Sequence, residues 1–217
     1  GWAGGSRSDM DPEAQSLAQA GYVAISADYR LASDHQPGFP NAVEDLESAL
    51  TWIRQHSFVY GIDPARIGAL GVSAGANLAL ALGVRNDVAA AVSWSGPTDL
   101  AAFETPALRC TRPSCGPLSM PYAVYRYLGC LPQACPATYR AASPADSVHG
   151  SRSAFLIWNS MNELVPVSQA REFMRAAQRA HVRAQEVLVP GDLHGAEYIS
   201  AALSPSVKFL RAVLGPH

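Results

Sequence analysis

The stretch Arg66-Ile67-Gly68-Ala69-Leu70-Gly71-Val72-Ser73-Ala74-Gly75-Ala76-Asn77-Leu78-Ala79-Leu80-Ala81-Leu82 decides the fold. Its first half is a short apolar run, as a strand buried in a parallel sheet requires. Its second half is apolar on every face and predicts a helix over 74–83 that is buried nearly all round. At the junction, Gly71-Val72-Ser73-Ala74-Gly75 is a G-x-S-x-G. A strand that turns this sharply into a helix needs small residues on either side of the serine, and the turn pushes the hydroxyl out at the top of the sheet. The N–H of Ala74, at the amino end of the helix, is then placed to stabilise an oxyanion. The motif alone is weak; the strand before it and the helix after it make it specific. Ser73 is the candidate nucleophile, and a plain strand-to-helix turn is the alternative.

Working outward, strands and helices keep alternating. Further strands are expected at 22–27, 88–94, 155–158 and 185–189. Helices are expected at 40–56, at 168–180 with Ser168 as N-cap, and at 196–213, where Pro205 should break or kink the helix. This order predicts one α/β domain over 1–217, a mostly parallel sheet with helices on both faces. Ligands in such folds sit at the carboxyl ends of strands. One stretch interrupts the alternation. Residues 103–150 carry all four cysteines, many prolines and the aromatics Phe103, Tyr122, Tyr125, Tyr127 and Tyr139. This reads as a folded cap or specificity insertion, with a surface excursion as the alternative.

Composition narrows the classes. The chain has 217 residues, 48% hydrophobic and 16% charged, enough for a sizeable core and too apolar for disorder. Sixteen Lys and Arg stand against 18 Asp and Glu with no basic stripe, so nucleic acid is not an expected partner. No apolar run reaches the roughly 18 residues a membrane span needs. Gly1-Trp2-Ala3-Gly4-Gly5-Ser6 reads as a Gly-rich loop rather than a secretory leader. Cys110 and Cys115, and Cys130 and Cys135, form two C-x4-C pairs flanked by turn-forming Pro and Gly. Two local disulfides are the preferred reading, with free thiols or a zinc site as alternatives. Disulfides imply an oxidising compartment and a secreted protein; a cytoplasmic protein is the other possibility.

Where a serine of this kind works with an acid and a histidine, the order along the chain is Ser, acid, His. After Ser73 the histidines are His149, His181, His194 and His217. His194 lies in Pro190-Gly191-Asp192-Leu193-His194-Gly195, directly after the last expected strand, and is the candidate general base.

These pieces together resemble the α/β-hydrolase superfamily, in particular carboxylesterases related to hormone-sensitive lipase and to bacterial feruloyl-esterase-like enzymes. Gly1-Trp2 resembles the end of that family's His-Gly-Gly-Gly-Trp oxyanion loop. Asp28-Tyr29-Arg30-Leu31-Ala32 resembles its Tyr-Arg-Leu-Ala motif, and Phe39-Pro40-Asn41-Ala42-Val43-Glu44-Asp45 the helix that follows. Gly61-Ile62-Asp63-Pro64, Ser95-Gly96-Pro97-Thr98-Asp99-Leu100 and Leu164-Val165-Pro166 are also family-like. The resemblance implies strands ahead of Gly1, among them the one that leads into the oxyanion loop. Without that strand the sheet would expose a long apolar edge. Gly1 matches the last glycine of the loop and is a second oxyanion candidate.

The resemblance also locates the acid, three residues before the Val of Val165-Pro166. That position is Asn162. An amide there holds an imidazole in the wrong tautomer and cannot stabilise imidazolium. Three explanations stay open: an inactivating substitution made to trap a ligand, a natural non-enzyme, or another carboxylate. Glu163 is adjacent, although a neighbour in a turn usually points elsewhere. Asp99 follows the preceding strand, where some hydrolases carry their acid.

The expected function is hydrolysis of small-molecule carboxylic esters through an acyl-enzyme on Ser73, with no metal or organic cofactor implied. Amide or peptide cleavage is the alternative within enzymes. A non-catalytic binding module on a hydrolase fold is the alternative outside them.

Overall fold

The computed structural model describes residues 1–103 and 119–215. Cys110, Cys115 and His217 lie outside the described residues. A short 3-10 turn at Arg7–Met10 leads into α1 (Asp11–Gln19). Then come α2 (Asn41–Gln55), α3 (Ser57–Tyr60), β1 (Gly68–Val72), α4 (Ala74–Val84) and β2 (Ala90–Trp94). The second half holds α5 (Met120–Leu128), α6 (Pro136–Ala142), α7 (Pro144–Ser147), β3 (Ala154–Ser160), α8 (Val167–Arg179), β4 (Ala184–Val189) and α9 (Ile199–Leu214).

Among the described residues the sheet has four strands in the order β1-β2-β3-β4, each parallel to the next. All four carboxyl ends therefore point the same way. Residue 73 follows β1, residue 95 follows β2, residues 161–165 follow β3 and residues 190–194 follow β4, so one end of the sheet collects the four segments singled out above.

The core follows from the period-two alternation of a strand. Every residue of β2 and β3 is buried. Ala91, Phe155 and Ile157 face one layer with Leu80 and Leu82 of α4 and Ala170, Phe173 and Ala177 of α8. Val92, Trp94, Leu156 and Trp158 face the other layer with Phe209, Leu210 and Leu214 of α9. As expected, α4 is buried nearly all round: nine of its 11 residues are inaccessible. Gly83 permits its close approach, since a Cβ there would sit 2.5 Å from Phe155 Cε1.

Three sequence expectations are corrected. Residues 22–27 form no strand ladder, and Val23 and Ile25 are exposed. They lie across a groove of about 510 Å³ from β1, and among the described residues no strand lies beside them for their N–H and C=O groups to form a ladder with. Side chains hold the segment instead. Ser26 Oγ donates to the Arg7 carbonyl at 2.7 Å, and just beyond the segment the Arg30 N–H donates to Asp45 Oδ2 of α2 at 2.7 Å. The outer edge of β1 lines this groove. Ser168 is not the N-cap of α8; that position is Pro166. Pro205 does not break α9, which runs through it. Ala202, Ser206, Phe209, Leu210 and Leu214 are all buried on one face of α9. Burial of Phe209, Leu210 and Leu214, at about 1.5–3 kcal/mol each, exceeds the roughly 3 kcal/mol a helical proline costs.

The described part of the insertion is folded. Cys130 and Cys135 are disulfide-bonded. Its aromatics serve the core: Tyr127 and Tyr139 are buried with Phe103 and Trp2, and Trp2 stacks on Tyr127 at 4.5 Å between ring centroids. The same cluster contains Ala74 and Leu78, so the insertion and the Gly1-Trp2 loop pack together against the amino end of α4. No helix among the described residues is long and apolar enough to cross a membrane.

Candidate active site

The turn after β1 is as tight as the G-x-S-x-G pattern predicts. Ser73 has φ 54° and ψ −116°, a region that L residues enter only when the surroundings force it. Its N–H donates to the Trp94 carbonyl at 2.8 Å, which fixes the elbow to β2. Gly71 is obligatory: a Cβ there would lie 2.1 Å from the Gly75 carbonyl oxygen and 2.7 Å from Ala76 N. Gly71→Ala is therefore expected to destabilise the protein by about 3 kcal/mol or more, since backbone rather than a flexible side chain must give way. Urea unfolding checks this. Ala74 opens α4, where the first N–H groups have no carbonyl one turn earlier to bond, and is buried. Gly1 lines the same groove as Ala74 and Gly75.

His194 lies in the loop after β4. Its Nε2 is 2.9 Å from Ser73 Oγ. Its Nδ1 is hydrogen-bonded to Glu163 Oε2. His149 and His181 are exposed.

Of the three acid positions left open by the sequence, one lies at the histidine. The structure sets Glu163, not Asn162, against the imidazole. Asn162 is exposed, and its backbone N–H donates to the Gly191 carbonyl at 3.0 Å. The reason lies in how the loop leaves β3. Met161 N–H bonds the Val189 carbonyl and Asn162 N–H the Gly191 carbonyl, so these two residues continue alongside β4. Asn159 Nδ2 takes the Val165 carbonyl at 3.0 Å and closes the turn. Residue 163 is then the one whose side chain points back, with its carboxylate inaccessible to solvent. The longer Glu side chain spans the extra reach. Asp99 is not at the histidine either. Its carboxylate accepts the N–H groups of Ala101 and Ala102 at 3.1 and 3.2 Å, and its own backbone is held by Gln169.

Two further residues surround the acid that sequence reasoning left without a role. Ser95 Oγ donates to Glu163 Oε1 at 2.8 Å and lies 2.7 Å from Tyr198 Oη. Ser160 N–H donates to Glu163 Oε1 at 2.7 Å, and Ser160 Oγ donates to the Leu193 carbonyl at 2.6 Å. Their sequence signal is position: each is a small polar residue at the carboxyl end of a mostly apolar strand, and Ser95 also opens the family-like Ser95-Gly96-Pro97-Thr98 stretch.

Burial, helped by the Glu163 charge, pushes the Tyr198 phenol above its ordinary value. The folded state thus favours the protonated phenol. That contribution is whole below the unfolded tyrosine value of about 10 and is lost as pH climbs above it. Stability is expected to fall above about pH 10, less steeply in Tyr198→Phe, as read by urea midpoints across that range.

The chain is similar in sequence and fold to known esterases. The chain is 29% identical to "Esterase LipC" of Mycobacterium tuberculosis over 93% of its own length and 52% of that protein's. It thus spans about half the length of the curated relatives it matches. It is 44% identical to an arylesterase of Saccharolobus solfataricus over 59 residues, 27% of this chain and 19% of that one. Among solved structures it superposes on a thermophilic esterase from Thermogutta terrifontis with a TM-score of 0.76 at 26% identity, covering 98% of this chain and 78% of that one. A truncated carbohydrate esterase from gut microbiota shares the fold at a TM-score of 0.81 and 22% identity, over 99% and 83% of the two chains. These folds are α/β-hydrolases, as the parallel sheet and elbow indicate. The model of the BD-FAE family matches residues 1–176, from the Gly1-Trp2 loop through the elbow and the acid loop into α8, and the chain belongs to that family.

Proposed function

We propose that this chain carries the catalytic core of a serine carboxylesterase acting on small-molecule esters. The supporting observation is one uninterrupted relay: Ser73 Oγ to His194 Nε2 at 2.9 Å, and His194 Nδ1 to the buried carboxylate of Glu163. In this reading Ser73 Oγ attacks the acyl carbonyl and its proton passes to His194 Nε2. Glu163 accepts the hydrogen bond from Nδ1–H, sets the tautomer and stabilises the imidazolium that forms. The Ala74 N–H, assisted by the Gly1 loop, holds the oxyanion. Imidazolium then protonates the leaving alcohol. Water, deprotonated by His194, cleaves the acyl-enzyme and restores the serine.

The insertion, packed beside the amino end of α4, is read as the element that shapes the acyl or alcohol side of the site. The Cys130 and Cys135 disulfide fits a protein that matures in an oxidising compartment.

A fluorophosphonate probe tests the assignment directly. The expected result is one phosphonyl adduct, mapped to Ser73 by peptide mass spectrometry and abolished in His194→Ala. An adduct elsewhere, or a folded protein that takes none, overturns the reading.

A further inference from the structure

We propose that Ser95 is a positioning residue of the site: its hydroxyl fixes the Glu163 carboxylate and the His194 loop in one register. This rests on the triad reading above and deepens it.

Ser95 follows β2 and is fully buried. Its N–H donates to the Trp158 carbonyl at 2.8 Å, so its backbone is held by β3. It sits at φ 57°, in the left-handed region where a non-glycine residue pays roughly 1–2 kcal/mol. The conformation aims Oγ away from the strand's own faces and into the space between β3 and the His194 loop.

There the hydroxyl meets three groups. Gly195 N–H is 2.8 Å away, Glu163 Oε1 is 2.8 Å away and Tyr198 Oη is 2.7 Å away. A serine hydroxyl has one proton and two lone pairs. An ionised carboxylate only accepts, so the proton goes to Glu163. A backbone N–H only donates, so one lone pair goes to Gly195. The second lone pair accepts the Tyr198 hydroxyl proton, which the more distant Trp158 carbonyl at 3.3 Å shares. The valence of Ser95 Oγ is thus filled, and every direction is fixed by its partners.

This matters because the acid is a glutamate. It has one more rotatable bond than an aspartate and needs more anchoring to present one oxygen to an imidazole. Oε1 takes two donors, Ser95 Oγ and Ser160 N–H, which leaves Oε2 to His194. Ser95 also binds the backbone N–H of the residue next to His194, so one hydroxyl ties acid to base. A misplacement of either by about 1 Å is enough to cost on the order of 10²-fold in rate.

The test compares Ser95→Gly, Ser95→Ala and Tyr198→Phe, with p-nitrophenyl acetate as substrate and active sites counted by fluorophosphonate titration. Ser95→Gly is the informative variant, because glycine adopts the positive φ freely and relieves strain while removing the hydroxyl. Per titrated site, kcat is expected to fall about 10- to 100-fold in both Ser95 variants with KM within about twofold. Tyr198→Phe, which leaves the Ser95-to-Glu163 bond in place, is expected to lose less. In proton NMR of the parent, the far-downfield signal of the His194 Nδ1 proton is expected to shift or broaden in Ser95→Gly and to persist in Tyr198→Phe. A Ser95→Gly with parental kcat per site and an unmoved signal overturns the proposal while leaving the esterase reading intact. A folded parent that neither hydrolyses the ester nor takes the label overturns that reading, and the positioning role falls with it.

Discussion

Ser73→Ala is expected to lower kcat on a short-chain p-nitrophenyl ester by about 10⁶-fold with KM little changed, the scale on which a serine nucleophile acts within its triad. The mutation removes one atom. That atom is an Oγ 2.9 Å from His194 Nε2, and the backbone that presents it is held independently by Gly71 and by the Trp94 carbonyl. Stability should therefore stay within about 1 kcal/mol, with strain at φ 54° unchanged because alanine meets it as serine does. The residual rate would come from the oxyanion donors and binding alone. A Ser73→Ala protein that keeps its rate would mean that some other nucleophile carries the reaction. The ratio of the two kcat values, each from a folded preparation checked by circular dichroism, decides this.

Glu163→Gln is expected to cost about 10⁴-fold in kcat, the size seen when a triad carboxylate becomes an amide. Two physical losses combine. Gln presents an N–H2 toward Nδ1, which favours the tautomer with its proton on Nε2, facing the serine it must deprotonate. The positive imidazolium of the transition state also loses a buried counter-charge in a site where the carboxylate is shielded from water. Binding of the neutral ester is untouched, so KM should hold. Truncation to Glu163→Ala would further leave Ser95 Oγ and Ser160 N–H without their acceptor. Its stability loss is then expected to exceed that of Glu163→Gln, because a buried unsatisfied donor costs about 1–3 kcal/mol.

The sequence made the elbow readable because its constraints are local. Gly71, Ser73 and Gly75 sit within one turn, and the apolar strand and helix on either side identify the turn without knowledge of anything distant. His194 was readable from order and place alone, being the histidine directly after the last strand. The acid was not. Which of two adjacent side chains points inward is set by pairing between the β3 exit and the β4 exit, through Met161 to Val189 and Asn162 to Gly191, and those contacts join segments nearly 30 residues apart in the chain. Motif spacing alone therefore favoured Asn162. Ser95 was hidden for the same reason, since its partners at 163, 195 and 198 come from two other loops. Pro205 was misjudged because its local penalty is visible in sequence and the burial of the α9 face is not. Residues 22–27 carry the composition of a strand, but a ladder needs a strand at hydrogen-bonding distance, and among the described residues the groove keeps β1 away from them.

In the proposed mechanism the acid is Glu163 rather than the position the family motif indicates. The most direct measurement is kcat/KM of Asn162→Asp beside the parent chain. Asn162 is exposed and its backbone runs along β4, so an aspartate there has no path to His194. Values within about threefold of each other are expected, as for a surface change away from the reacting groups. A gain of several orders of magnitude in Asn162→Asp would contradict that mechanism and place the acid at residue 162.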